Sequence, residues 1–170
     1  MDTSKGFSDR IEIWTRKIPG VRSYLEREHR RETDKKLREH LASRLQEFRS
    51  QVKKITLDLT TKGEMESLAK LDRFSSRLQQ MADTIRYASY GYSGIFDLER
   101  IREDELDRLY SFDLSLMEEL ERIQKTVEEI GPAATPQARE KKIGESDTLV
   151  DALETKFNQR KELISQPLQK

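Results

Sequence analysis

Apolar residues recur every three or four positions through the middle of the chain. Leu37, Leu41, Leu45, Phe48, Val52, Ile55 and Leu59 share one side of a helix, with Glu47, Lys53 and Lys54 outside the stripe. Thr60-Thr61-Lys62-Gly63 ends it, because glycine accepts the left-handed backbone that follows a helix end. A second stripe begins at once, with Met65, Leu68, Leu71, Phe74, Leu78, Met81, Ile85 and Ala88. So short a connection makes the two helices antiparallel neighbours. A third stripe runs through Leu106, Leu109/Tyr110, Asp113, Leu116/Met117, Leu120, Ile123, Val127 and Ile130. It follows Glu103-Asp104-Glu105, acids that suit the positive end of a helix dipole, and Gly131-Pro132 closes it. Residues 132–145, with Ala-Ala-Thr-Pro and the basic Arg139, Lys141 and Lys142, read as a mobile linker. Ser146 then caps a shorter last helix, 146–164, with Leu149, Leu153, Phe157 and Leu163/Ile164 on its stripe.

At the front, Ser8 is placed to cap a short helix with Phe7, Ile11, Trp14 and Ile18 on one face, and Pro19-Gly20 breaks it. The chain restarts at Val21 and continues into the first long helix. Glu26 to Lys36 contains no apolar residue, so it is either a solvated arm or a polar face for a partner. The expected organisation is an N-terminal amphipathic segment (1–20), a helical bundle (21–131), a linker (132–145) and a C-terminal helix (146–164). The fold class is all-α: an antiparallel helical bundle of three long helices and a shorter fourth, with a short N-terminal amphipathic helix.

Composition sharpens this picture. Charged residues make up 38% of the 170 and hydrophobic ones 34%, a balance suited to long helices with narrow buried seams. The 32 basic and 32 acidic residues cancel, so no global field draws the chain to nucleic acid or anionic lipid. The cancellation is not local. Arg16 to Lys54 holds 13 basic and 6 acidic residues, whereas Glu99 to Gly131 holds 5 and 11, which predicts that the first and third helices are neighbours. With no cysteine, disulfides, thiolate metal sites and a cysteine nucleophile are excluded. No apolar run approaches the roughly 18 residues of a membrane span and no signal-peptide pattern opens the chain, so a cytoplasmic location is expected.

Little reactive chemistry is visible. Glu26 and His29 form one Glu-x-x-His pair, but a bundle di-metal site needs two, and Leu37 stands where His40 would need its glutamate. No Gly-x-Ser-x-Gly turn, phosphate loop or dinucleotide fingerprint occurs. Neither an enzyme, a metal nor a cofactor is expected. Arg30-Arg31 and Lys35-Lys36 alternate with Glu26, Glu28, Glu32 and Asp34, which would repel the same phosphates, so nucleic acid is not an expected partner.

Two segments carry candidate binding residues. Tyr87, Tyr90, Tyr92 and Phe96 surround Gly91 and Gly94, and they either plug the bundle end or form an aromatic docking patch. Alternating helix directions would bring them to the end that holds Arg27, Arg30 and Arg31, within reach of cation–π contact. Phe7, Ile11, Trp14 and Ile18 either fold back on the bundle or lie on a membrane surface as an interfacial helix. The reading is a non-enzymatic cytoplasmic interaction or scaffold protein with a protein partner of unknown identity. The alternative is a peripheral protein at the inner face of the membrane. Unpaired heptad faces also suit a homodimer.

Lys17-Ile18-Pro19-Gly20, Tyr24 and the charged run to Leu37-Arg38 form one distinctive block. Tyr90-Gly91-Tyr92-Ser93-Gly94-Ile95-Phe96-Asp97 and Glu105-Leu106-Asp107-Arg108-Leu109-Tyr110-Ser111-Phe112-Asp113 form two more. In these blocks, over roughly residues 15 to 130, the chain resembles a family of uncharacterised bacterial helical proteins. The resemblance implies a helical bundle and brings no activity and no residue role. The layout of amphipathic segment, proline break and long hairpin is also broadly similar to phage-shock-type membrane-remodelling proteins, without a specific motif of theirs. The Tyr-rich loop and acidic third helix depart from their continuous coil.

Overall fold

The computed structural model describes residue 12 and residues 30–88 and 103–165, with side chains for 12, 35–88, 112–160 and 162. Among these residues the protein is all-α: α1 (Arg30–Thr61), α2 (Leu68–Arg86), α3 (Glu103–Ile130) and α4 (Pro136–Ser165). Phe7, Ile11, Trp14 and Ile18, and with them the expected N-terminal helix, lie outside the described residues.

The stripes read from sequence are the core. Leu37, Leu41, Leu45, Phe48 and Val52 of α1 are buried against Leu71, Phe74, Leu78, Met81 and Ile85 of α2 and Leu116, Leu120, Ile123, Val127 and Ile130 of α3. Each such side chain contributes about 1.5–3 kcal/mol of transfer free energy before chain entropy is set against it. The α1–α2 turn has a defined geometry. Gly63 takes φ 75°, its N–H bonds Thr60 O at 3.1 Å, and the Glu64 N–H bonds Leu59 O at 2.9 Å. These two bonds are the Schellman pair that satisfies the last carbonyls of a helix. Met65, expected on the second stripe, is 63% exposed because α2 starts only after it.

The C-terminal third of the chain corrects the expectation. Residues 136–145 are helix, and α4 is 30 residues long rather than a short element starting at Ser146. Thr135 is the cap: its Oγ1 accepts from the Ala138 N–H at 3.1 Å and its carbonyl accepts the Arg139 N–H at 3.0 Å. Pro136 supplies a preset φ at the first helical position, where its missing N–H costs nothing. Ser146 is buried within the helix. The inward line of α4 is Arg139, Ile143, Ser146, Val150, Leu153, Phe157 and Arg160, alternating steps of four and three residues.

Two antiparallel hairpins, α1–α2 and α3–α4, lie side by side. α1 packs on α3 and α2 on α4, while α1/α4 and α2/α3 are diagonal. Register follows from cross-helix bonds. Arg44 donates to Gln124 and Ile55 stands against Gly131, so α1 and α3 are parallel. Lys70 meets Glu140 and Arg77 meets Asp151 and Glu154, so α2 and α4 are parallel too. The starts of α1 and α3 and the ends of α2 and α4 therefore share one end, here called the open end. The turns at 62–67 and 131–135 share the other.

The first and third helices are neighbours, as their opposite charges predict, but for a different reason. Between described residues α1 and α3 share no ion pair. The acids of α3 pair with α4 instead: Asp113 with Arg160, Glu119 with Lys156 at 2.6 Å and Glu129 with Lys142 at 2.7 Å.

Candidate docking end

The open end is built on the last turn of α2. Its free carbonyls are met by an arginine from the neighbouring helix: Arg38 Nη1 of α1 donates to Arg86 O at 3.1 Å and Ala88 O at 2.9 Å. A cation at a helix C-terminus is favoured by the dipole as well as by these bonds. Tyr87 sits at the C-cap between the two captured carbonyls, its own N–H bonded to Asp83 O at 3.0 Å. Its backbone is fixed, yet its side chain is 75% exposed. Ala88, next along, turns inward against the core.

Beneath this end lies a buried ion pair. Arg160 Nε and Nη2 donate side-on to the two oxygens of Asp113, the second bond at 3.0 Å, with both side chains at or below 1% exposure. Planar guanidinium against planar carboxylate is the geometry that best offsets the desolvation of both charges. One turn along α4, Lys156 holds the buried Glu119, which Arg122 also approaches at 3.5 Å.

Two further features shape the flanks. Arg44 lies over the Phe48 ring at 5.2 Å from its centroid while bonding Glu47 and Gln124, so one guanidinium joins α1 to α3. His40, one turn before Arg44, is half-buried, and its imidazole is held below the ordinary value of 6.5 first by burial and then by the Arg44 charge, with Glu47 opposing. Arg77 and Lys142 are shifted the other way, upward, by hydrogen bonds to Asp151 and Glu154 and to Glu129 and Glu145 respectively. Among the described residues no group of three His, Cys, Asp or Glu is placed to hold a metal ion. No helix of the described residues is long and apolar enough to cross a membrane.

Of the sequence-predicted docking residues, Tyr87 is on the open end and exposed. Arg30 and Arg31 belong to the first turn of α1 at that same end, their side chains outside the described set. Tyr90, Tyr92, Phe96 and Arg27 lie outside the described residues, as do Glu26 and His29. Sequence reasoning missed Arg38 as the cap of α2, a role with no local signal because its acceptors are 48 and 50 residues away. It also missed Arg160, whose signal was present: three residues past Phe157, it continues the same helical face. Comparison with protein-family models, with curated proteins and with solved structures returns no match.

Proposed function

We propose that this chain is a non-enzymatic cytoplasmic interaction protein that takes a protein partner at the open end of its bundle. The observation that supports the reading is Tyr87. An aromatic side chain at 75% exposure stands on a backbone pinned from both sides by Arg38. A rigidly mounted tyrosine loses little entropy on contact and offers both an apolar ring and a hydroxyl, which is why tyrosine is enriched at binding hot spots. The convergence of four helix ends there gives such a contact a broad base. The resemblance to uncharacterised bacterial helical proteins belongs to the same proposal and adds no chemistry to it.

Met65 provides an internal control, being 63% exposed at the opposite end. A photo-crosslinking amino acid placed at position 87 or at position 65 of the full chain, in cells, tests the reading. The expected result is a discrete adduct with another protein from position 87 and none from position 65. No adduct from position 87, or equal adducts from both, would overturn the proposal.

A further inference from the structure

Ionic contacts are distributed unevenly over this bundle. Every ion pair that joins two separate parts of the fold, among the described residues, has one end on α4. Lys70 and Arg77 of α2 reach Glu140, Asp151 and Glu154, while Lys142, Lys156 and Arg160 reach acids of α3. Arg139 reaches Glu64 in the α1–α2 turn at 3.0 Å. The inward face of α4, like that of α3 with Asp113 and Glu119, carries buried charge that the faces of α1 and α2 lack among the described residues. Three of its seven buried positions are Arg139, Ser146 and Arg160, whereas the buried line of α2 is apolar apart from Ser75. Among the described side chains of α4, 136–160 and 162, four apolar ones are buried, Ile143, Val150, Leu153 and Phe157, against six from the 19 residues of α2.

From this contrast we propose that α4 is a charge-latched helix: it is the element that leaves the bundle first, as a unit, and ionic contacts rather than apolar burial set how often it does so. The two buried arginines fix its seating. They stand at opposite ends of the helix and meet acids from different elements, Glu64 and Asp113, so a shift of one turn along the bundle would strand both charges. Between them, apart from Lys156 with the buried Glu119, the latch consists of partly exposed pairs, Lys70–Glu140, Arg77 with Asp151 and Glu154, and Lys142–Glu129. Dissolved salt screens these pairs, whereas the apolar contacts of α1 with α2 and α3 are indifferent to screening. The turn at 131–135, which opens on Gly131-Pro132, joins α3 to α4 and must swing for α4 to leave. The device is independent of the docking end and stands or falls separately from it.

Native-state hydrogen exchange on the full chain at 0.05 and 0.5 M KCl tests it, the Debye length falling about threefold between the two. At low salt the amides of α4 should exchange faster than those at the centre of α1, because local openings precede global unfolding. Raising the salt should speed α4 about tenfold, the order expected when several half-exposed pairs weaken together, with α1 unchanged. Arg77→Met/Lys142→Met removes pairs whose acids remain solvated. This variant should open α4 already at low salt and show a smaller salt step than the native chain. Equal protection of α1 and α4, salt acceleration shared by both helices, no salt acceleration of α4, or an undiminished salt step in the variant would each overturn the proposal.

Discussion

The Asp113–Arg160 pair gives a prediction whose sign depends on how many partners are changed. Asp113 is fully buried and Arg160 is 1% exposed, so neither charge can be rehydrated without opening the α3–α4 hairpin. Arg160→Met leaves a carboxylate in an apolar seam, and Asp113→Leu leaves a guanidinium there. Either change should cost about 3–5 kcal/mol, the usual result of removing one partner from a buried charge pair. For a domain with about 5–15 kcal/mol of total stability that is about a fifth or more of the whole. Changing both residues removes both charges. Asp113→Leu/Arg160→Met should then lie within about 1 kcal/mol of the native chain or be more stable, because a well-packed apolar replacement avoids the desolvation of two ions. Urea unfolding followed by far-UV circular dichroism gives the four free energies of the cycle. Single variants that each cost under about 1 kcal/mol would mean that the pair is solvated, the usual range for exposed ion pairs. A double variant as damaged as the sum of the singles would mean that the two residues act independently. Either result would refute the argument.

Two of the three described glycines, Gly144 and Gly63, should respond in opposite directions. Gly144 lies exposed within α4, where an added Cβ meets nothing, so Gly144→Ala should raise stability by about 0.5–1 kcal/mol in thermal or urea unfolding. Gly63 has equal space but φ 75°, so Gly63→Ala should lower stability by about 1–2 kcal/mol through backbone strain alone. His40 makes stability depend on pH with a set sign. Its folded pKa lies below the unfolded 6.5, so its contribution is complete above that value and is lost as pH falls through the folded pKa. His40→Gln should therefore flatten the acid-side fall in stability between pH 7 and 5, and parallel stability–pH curves for the two proteins would contradict this.

How much of this was legible in the sequence follows from what each helix buries. Leu37 to Leu59, Leu71 to Ile85 and Leu116 to Ile130 repeat at helical spacing and are apolar almost throughout, so pattern alone located α1, α2 and α3. The same rule placed the later part of α4, through Leu153 and Phe157, but failed over residues 136–145, where the buried line runs through Arg139. A count of apolar positions sees no stripe there, and Arg139 and Lys142 read as linker charges although both bind acids across the bundle. A local signal is present there, although the segment reads as linker: Thr135-Pro136, a cap followed by a preset first residue. Charge segregation named the right neighbours, α1 and α3, while the acids of α3 turned to α4, because side-chain direction about a helix is not contained in net charge. At the candidate site, the spacing from α2 into the loop put Tyr87 at a helix end. Its exposure depends on Arg38 and Ala88, which are set by packing between distant segments.

The docking end depends most on the parallel packing of α1 on α3 and of α2 on α4, which brings four helix ends to one end of the bundle. The chain has no cysteine, so introduced pairs report without background. A short bismaleimide added to dilute Lys70→Cys/Glu140→Cys, at the contact of α2 with α4, should give an intramolecular crosslink, while Lys70→Cys/Glu128→Cys, from α2 to α3, should give none. The reverse pattern would place α2 beside α3 and contradict the parallel packing of α2 on α4 that helps to define the open end.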